Sequence, residues 1–459
     1  MSNDTGIREN IPPEEAARVV SSLLGQGQGL EAFVRFQRLL PPDQADVFTQ
    51  LSDEHRERLI TNLSAAGLAG LLKYLGTDEA VEFADIIGQS TLPFILDIVS
   101  PDVAADILKE MPPESAAAVI GRMKTAEQVA PLLEYANDEA GGLMSPQFVA
   151  LYENMSVSQA MTFVRQWAAE YSSEEITQAF VVDRNGVLRG SIGLASLVLA
   201  RPHQLVSLIM DSRIVSVTSD TDREEVARIV ERYDLYQIPV TDDDGKLLGI
   251  IVVEDIIDVF EDEATEDMYR MIGVSETEKA SGSFWRSVRS RLPWICVNLS
   301  TAILAGLVIT LFESTMAKAI ALAAFLPVVA GQGGITGTQT LTLMVRSIAL
   351  GELNSVATWK LLWKELRLGL VHGLVVGLVV AAIAFGWQQN EYIAIVVGIA
   401  TLASMTVAGI SGILVPIGFR ALKIDPALAS AVAVTTVTNV AGFLIYLGLA
   451  ATMIQFIVG

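Results

Sequence analysis

Cysteine is almost missing from this chain. Cys296 is the single cysteine in 459 residues, and it lies in an apolar run. That excludes a disulfide framework and a thiolate metal centre, and Cys296 reads as a small buried apolar residue. Histidine is nearly as scarce, with only His55, His203 and His372. No nucleophile–base constellation gathers around them, so the chain does not read as an enzyme. A Walker-type GxxxxGKS/T loop is absent, which removes that route to ATP hydrolysis. The first residues, MSNDTGIREN, lack the apolar core of a cleavable signal. Positive charge is also short: 31 Lys and Arg against 53 Asp and Glu give a net charge of −22. Such acidity excludes nucleic acid as the expected partner and favours cations.

What is present is segregated. A mean hydropathy of +0.45 coexists with that charge. From Pro293 onward there are five acids and seven bases, so the first 292 residues carry about −24 by subtraction. An acidic soluble module is joined to a membrane module. The extreme case is the last stretch. From Pro426 to Gly459, 34 residues pass without a charged side chain, longer than the roughly 20 needed to cross a bilayer. Thr435, Thr436, Thr438 and Asn439 interrupt it, followed by Gly442. Hydroxyls and amides in hydrocarbon are costly, so such groups face a partner helix or water. This helix is expected to line an ion pathway that the acidic half controls.

Residues 11 to about 135 read as helices throughout. PPDQADVFTQL, SDEHRERLITNL, SPDVAADILKEM and PPESAAAVIGRM each open on Pro, Ser or Asp and carry acids in the first turn. Units this short suggest a helical superhelix or compact bundle. Asp85, Asp97, Asp102, Asp106 and Glu114 are candidate cation contacts there, beside a plain scaffold role.

Between residues 140 and 260, β-branched runs alternate with helices. FVALY, QAFVVD and GVLRGSIG are followed by IVSVTSDT, YQIPVTD and GKLLGIIVV, with VDRNGVL and TDDDGKL as hairpin turns. The doubled unit resembles a tandem pair of CBS domains, a kind of module that binds nucleotides or ions and regulates what it is attached to.

The next segment is the most charged. From Asp211 to Asp267 there are eighteen acids and five bases. Asp255, Asp258, Asp262 and Glu266 recur three or four residues apart, on one helix face, with Glu263 and Asp267 alongside. Crowded carboxylates repel, and a hard divalent cation relieves the repulsion. A polar linker, GVSETEKASGSF, precedes a basic, aromatic margin of Trp285, Arg286, Arg289 and Arg291.

Five stretches are long enough to span: 292–312, 319–345, 368–390, 392–419 and 426–459. Arg346, Lys360, Lys364 and Arg367 join the second to the third, and Arg420 and Lys423 join the fourth to the fifth. The opposite loops carry few bases. The positive-inside rule therefore places the soluble half in the cytosol and the C-terminus outside. In the second span Pro327 and the glycines 331, 333, 334 and 337 weaken a helix, while Gln332, Thr336, Thr338 and Gln339 add polar groups. Irregular backbone lining a pathway is expected there. Gly369, Gly373 and Gly377 read as a helix-packing face, as do Gly409, Ser411 and Gly412.

At this point the order of parts is specific. A helical repeat domain runs through YANDEAGGLM into the CBS-like pair. The acidic helix VVEDIIDVFEDEATEDMYRMIGV follows, then five spans with GQGGITGTQTLTLMVRSIALGEL in the second and DPALAS and TTVTNVAGFLIY in the last. Along essentially the whole chain this resembles the MgtE family of magnesium channels and transporters. The resemblance implies a multidomain α, α/β and membrane-α fold. A helical N-terminal superhelix takes 1–138, tandem CBS domains 139–260, a plug helix and linker 261–284, and a five-helix transmembrane domain 285–459. It also implies a homodimer in the bacterial inner membrane, a pore at the subunit interface, and magnesium that holds the cytosolic parts together and the pore shut. ATP is a candidate ligand of the CBS pair that no motif here supports. Matching sensor acids are Asp222, Glu224, Asp234, Asp255, Asp258, Glu263, Glu266 and Asp267. Asp425 matches an acid that meets the plug helix through a bound ion. The candidate pore set is Gly333, Gly334, Gly337, Thr435, Thr438, Asn439 and Gly442.

Two departures concern the pore. The family pattern TTLVDVTGLLIY has an aspartate where this chain has Asn439, and GGNxGNQ becomes GGITGTQ through Ile335 and Thr338. A carboxamide still accepts hydrogen bonds from ion-bound water but adds no charge. The expected function is a magnesium-gated magnesium channel with altered pore chemistry. Two alternatives stay open: a transporter of another divalent cation under magnesium control, and a non-conducting sensor of magnesium or nucleotide.

Overall fold

The computed structural model describes residues 12–171, 177–275, 278, 284–353, 355–428 and 430–458. The N-terminal MSNDTGIREN and most of the polar linker lie outside the described residues. The chain divides into two compact units, Met1–Phe260 and Glu261–Gly459.

The first unit begins with short helices, from Pro13–Gly25 to Ala140–Leu143. Proline stands in the first turn of Pro13–Gly25, Pro41–Thr49, Pro101–Glu110 and Pro113–Ile120. A missing N–H costs nothing there and the fixed φ suits the helix. Ser64 caps Ala65–Leu72 by accepting from the Gly67 amide at 3.2 Å. Phe36, Phe83, Leu59, Leu71, Leu92 and Ile95 fill the core, which continues into Val226, Ile238 and Ile251 of the second β-unit.

Two β-units follow with the same topology. Strand β1 (Ala150–Tyr152) runs parallel to β2 (Gln178–Val182), which is antiparallel to β3 (Leu188–Gly193). In the second, β4 (Val217–Thr218) is parallel to β5 (Gln237–Thr241), antiparallel to β6 (Leu247–Val252). The two hairpins are built by one device. Asp183 Oδ1 accepts from the amides of Asn185 and Val187, and Asp242 Oδ1 from those of Asp244 and Lys246. Gly186 and Gly245 then take φ values of 82° and 77°, open to glycine at no steric cost. The repeat read from the sequence is therefore a repeat in space.

A helix of 19 residues, Val253–Met271, begins where β6 ends. The second unit contains five helices long and apolar enough to cross a membrane. We refer to them as the first span (Ser287–Thr310), second (Ile320–Ala349), third (Thr358–Gln388), fourth (Glu391–Ala421) and fifth (Ala431–Thr452). The fourth is the most buried and the first the least. Small residues let the third and fourth spans touch: a Cβ on Gly373 would lie 2.8 Å from the Leu402 carbonyl oxygen, and one on Gly377 would lie 2.7 Å from that of Gly398.

Two expectations are corrected. Cys296 is exposed on the first span rather than buried, because little packs against that helix within one chain. The second span is not irregular. Residues Leu326–Ala349 form one continuous α-helix after a 3-10 turn at Ile320–Phe325. Gly333 and Gly337 are taken up by close packing, whereas Gly331 and Gly334 face open space, and the backbone is unbroken at all four.

Candidate ion pathway

The second and fifth spans present a groove of about 1050 Å³ on the surface of the membrane unit. Gly334, Ile335, Thr338 and Gln339 line it from one helix, and Thr435 and Asn439 from the other. Thr338 Oγ1 donates to the Gly334 carbonyl at 3.0 Å, a bond within its own turn. The Asn439 carboxamide makes no hydrogen bond to any described residue. Polar groups thus lie in a trough on a helical surface that is otherwise largely apolar.

The structure divides the candidate pore residues into two sets. Gly334, Thr435 and Asn439 line the groove. Gly333, Gly337, Thr438 and Gly442 turn toward the protein interior instead. A Cβ on Gly333 would meet Ser404 Oγ at 2.6 Å, one on Gly337 would meet Val434 at 2.6 Å, and one on Gly442 would meet Ser404 at 3.1 Å. Thr438 is 1 % exposed and donates to the Thr435 carbonyl at 3.0 Å. These four residues allow the second, fourth and fifth spans to approach. The sequence shows that small residues are needed but not on which side of the helix.

Behind the groove sits a carboxylate that sequence reasoning passed over. Glu365 of the third span is 6 % exposed and accepts from Thr340 Oγ1 at 2.9 Å. Its position between Lys364 and Arg367 made it look like part of a charged loop. The signal was its spacing of four from Gly369, the first glycine of the packing face.

The end of Val253–Met271 meets the start of the last transmembrane stretch. Arg270 Nη1 donates to Asp425 Oδ2 at 2.5 Å, and its Nη2 pairs with Glu266. Asp425 Oδ1 accepts from the Ala427 amide at 2.8 Å. Burial, then the charges of Asp425 and Glu263, push Asp267 up to about 6 despite Arg270 nearby. The resemblance implies an ion between Asp425 and this helix, and the Arg270 guanidinium also links the two directly. Arg270 was not singled out from sequence, since one base among many acids reads as solvation.

At the other end of the same helix Asp255 is pushed up to about 7 by burial and by Asp102, Asp258 and Glu254. Asp102 Oδ1 is itself buried with no hydrogen-bond partner among the described residues. Asp222 caps Arg223–Tyr233 by accepting from the Glu224 amide at 2.8 Å, and Asp234 ends that helix with φ 51°. Glu224 lies in its first turn. Among the described residues, no three His, Cys, Asp or Glu side chains converge as a metal-ligand set. The crowding at Asp255 is nevertheless what a hard, hydrated divalent cation would relieve, since such an ion keeps water between itself and several carboxylates.

Comparison with known proteins bears directly on this arrangement. Residues 326–449 match a family model described as "Divalent cation transporter". Residues 140–203 and 206–262 match CBS domains, and 11–92 match the MgtE intracellular N domain. The magnesium transporter MgtE of Thermus thermophilus is 33 % identical over 430 residues, 91 % of this chain and 94 % of the relative. The chain belongs to the MgtE family. A second MgtE, from Bacillus subtilis, is 29 % identical over 97 % of this chain and 99 % of its own. Among solved structures, the cytosolic domain of the Mg2+ channel MgtE in complex with ATP is similar at 34 % identity and a TM-score of 0.50. That likeness covers 53 % of this chain and 99 % of the solved one. Family membership joins the helical N-terminal domain, the CBS pair and the five apolar helices in one protein.

Proposed function

We propose that this member of the MgtE family is a homodimeric channel of the bacterial inner membrane. It moves magnesium into the cytosol down its electrochemical gradient, and cytosolic magnesium shuts it. The observation that carries this reading is the open groove between the second and fifth spans, into which Thr338, Gln339, Thr435 and Asn439 project. Left against lipid, the Asn439 and Gln339 carboxamides, which have no partner among the described residues, would each cost several kcal/mol. Two copies meeting groove to groove would enclose them around water. Thr435, Asn439, Thr338 and Gln339 would then accept hydrogen bonds from the water around a passing ion. Magnesium sheds water reluctantly, so contact through its hydration shell suits this lining. About 4.6 kcal/mol per 100 mV is available to drive a divalent ion inward.

Closure belongs to the helix Val253–Met271. Asp222, Glu224, Asp234, Asp255 and Asp258, with Glu263, Glu266 and Asp267 further along, are the proposed sensor acids. With magnesium among them, the carboxylates hold the helix in place and Arg270 keeps its end on Asp425. When magnesium falls, carboxylate repulsion drives the helix away. The solved relative binds ATP. Here Arg189 pairs with Asp183 at 2.6 Å, Arg213 with Asp211 at 3.3 Å and Arg228 with Glu225 at 2.7 Å. No step is assigned to ATP.

One observation favours a second reading. The neutral Asn439 stands in the groove where the family pattern has an aspartate. A pore without that charge suits a different divalent cation under the same control. Magnesium uptake into liposomes separates the two, using the full-length wild type beside Asn439→Asp. Robust wild-type uptake supports the magnesium channel, with the aspartate raising it several-fold. Uptake seen only in the aspartate variant supports the second reading, and no magnesium uptake in either rejects the magnesium channel.

A further inference from the structure

The third span has two faces, and the chain itself uses only one. Glu365, Gly369, Gly373 and Gly377 recur every four residues and turn inward. Glu365 meets Thr340, and a Cβ on Gly369 or Gly373 would come within 2.9 Å of the fourth span's backbone. The other face carries Trp359, Lys360, Trp363, Lys364 and Arg367, all exposed. With Leu368 and Val371 they line a recess of about 640 Å³. The two indoles meet edge to face, their ring centroids 6.2 Å apart. No described carboxylate pairs with the three cations.

The recess sits at a defined depth. After Arg367 the span runs 21 residues, from Leu368 to Gln388, without a charge. At about 1.5 Å per residue that is roughly 31 Å, the thickness of the hydrocarbon core. Lys360, Lys364 and Arg367 therefore fall within about two turns of the point where the span leaves hydrocarbon. Headgroup phosphates lie at this level. Indoles favour it, lysine stems reach along it, and a guanidinium fork matches phosphate oxygens.

We propose that this recess binds the headgroup of an anionic phospholipid in the adjacent leaflet. Three unpaired cations around two indoles select a net negative headgroup over a zwitterionic one, whose ammonium they repel. The site rests on the proposed orientation, in which this leaflet is the cytosolic one. Its test reads lipid class rather than ion flux, so the two proposals fail separately.

The full chain is reconstituted in phosphatidylcholine vesicles containing either brominated phosphatidylglycerol or brominated phosphatidylcholine. Tryptophan quenching is compared with that of Trp359→Phe/Trp363→Phe, which isolates these two indoles. Local enrichment of the anionic probe over the zwitterionic one should be about fivefold or more, one cation's worth of attraction near the surface. Lys360→Gln/Lys364→Gln/Arg367→Gln abolishes the preference, and Arg420→Gln/Lys423→Gln, which removes cations outside the recess, retains it. Equal quenching by the two lipids overturns the proposal. So does a preference that survives the triple change, or an absence of quenching by either lipid because a second copy covers the face. If the triple variant does not fold, the wild-type comparison of the two lipids decides the matter.

Discussion

The Asp106 carboxyl shows how burial sets the proton affinity of a single side chain. Burial pushes its carboxyl up to about 6, with Lys109 opposing and Asp102 and Glu110 adding to the rise. In the unfolded chain the value is near 3.8. Between those values the folded form binds the proton and the unfolded form does not, so stability increases as pH falls through this window and is lower above it. Asp106→Asn is expected to raise stability at pH 7.5 by about 1–2 kcal/mol, after allowing for partial exposure, and to gain about half as much at pH 5. Thermal unfolding of the full chain at the two pH values checks this, and an equal gain at both would contradict it. The same scale shows where sequence reading stops. Asn439 was legible as a polar residue in an apolar run, and its place in the groove agrees with that. Thr438, one residue away, looked equivalent and is buried. A helix turns 100° per residue, so neighbours in a polar cluster face different surroundings and composition alone does not choose between them.

Elements were far more legible than faces. The repeated β-unit, its Asp- and Gly-built hairpins and the five spans follow from periodicity, turn residues and length, which local chemistry determines. The second span misled for a physical reason. Glycine lowers helix propensity, but close approach at Gly333 and Gly337 offsets it, and the helix stays continuous through the open positions Gly331 and Gly334 as well. The helix Val253–Met271 was recognised by its acids, whereas its tether is a base. Arg270 is held by Glu266 and Asp425. A hydrogen bond to a charged group contributes about 1.5–3 kcal/mol. Arg270→Gln is therefore expected to weaken closure and raise the magnesium concentration that halves flux by roughly tenfold. Flux titrated against magnesium on the cytosolic side measures this; an unchanged midpoint would remove Arg270 from the gate.

At the scale of the molecule, charge is segregated between the two parts of the chain. An acidic unit is joined to a membrane unit with a groove into which Thr338, Gln339, Thr435 and Asn439 project. The central claim is that this trough conducts. Gly334 offers the most direct test, because a side chain added there meets only open space within the chain. Gly306, on the first span and outside the groove, is equally open and serves as the control. Magnesium uptake into liposomes is measured for wild type, Gly334→Leu and Gly306→Leu, each with helix content unchanged. The account predicts that Gly334→Leu lowers uptake tenfold or more while Gly306→Leu leaves it near the wild-type rate. Wild-type uptake in Gly334→Leu would mean that ions cross elsewhere and that the groove is not the pathway.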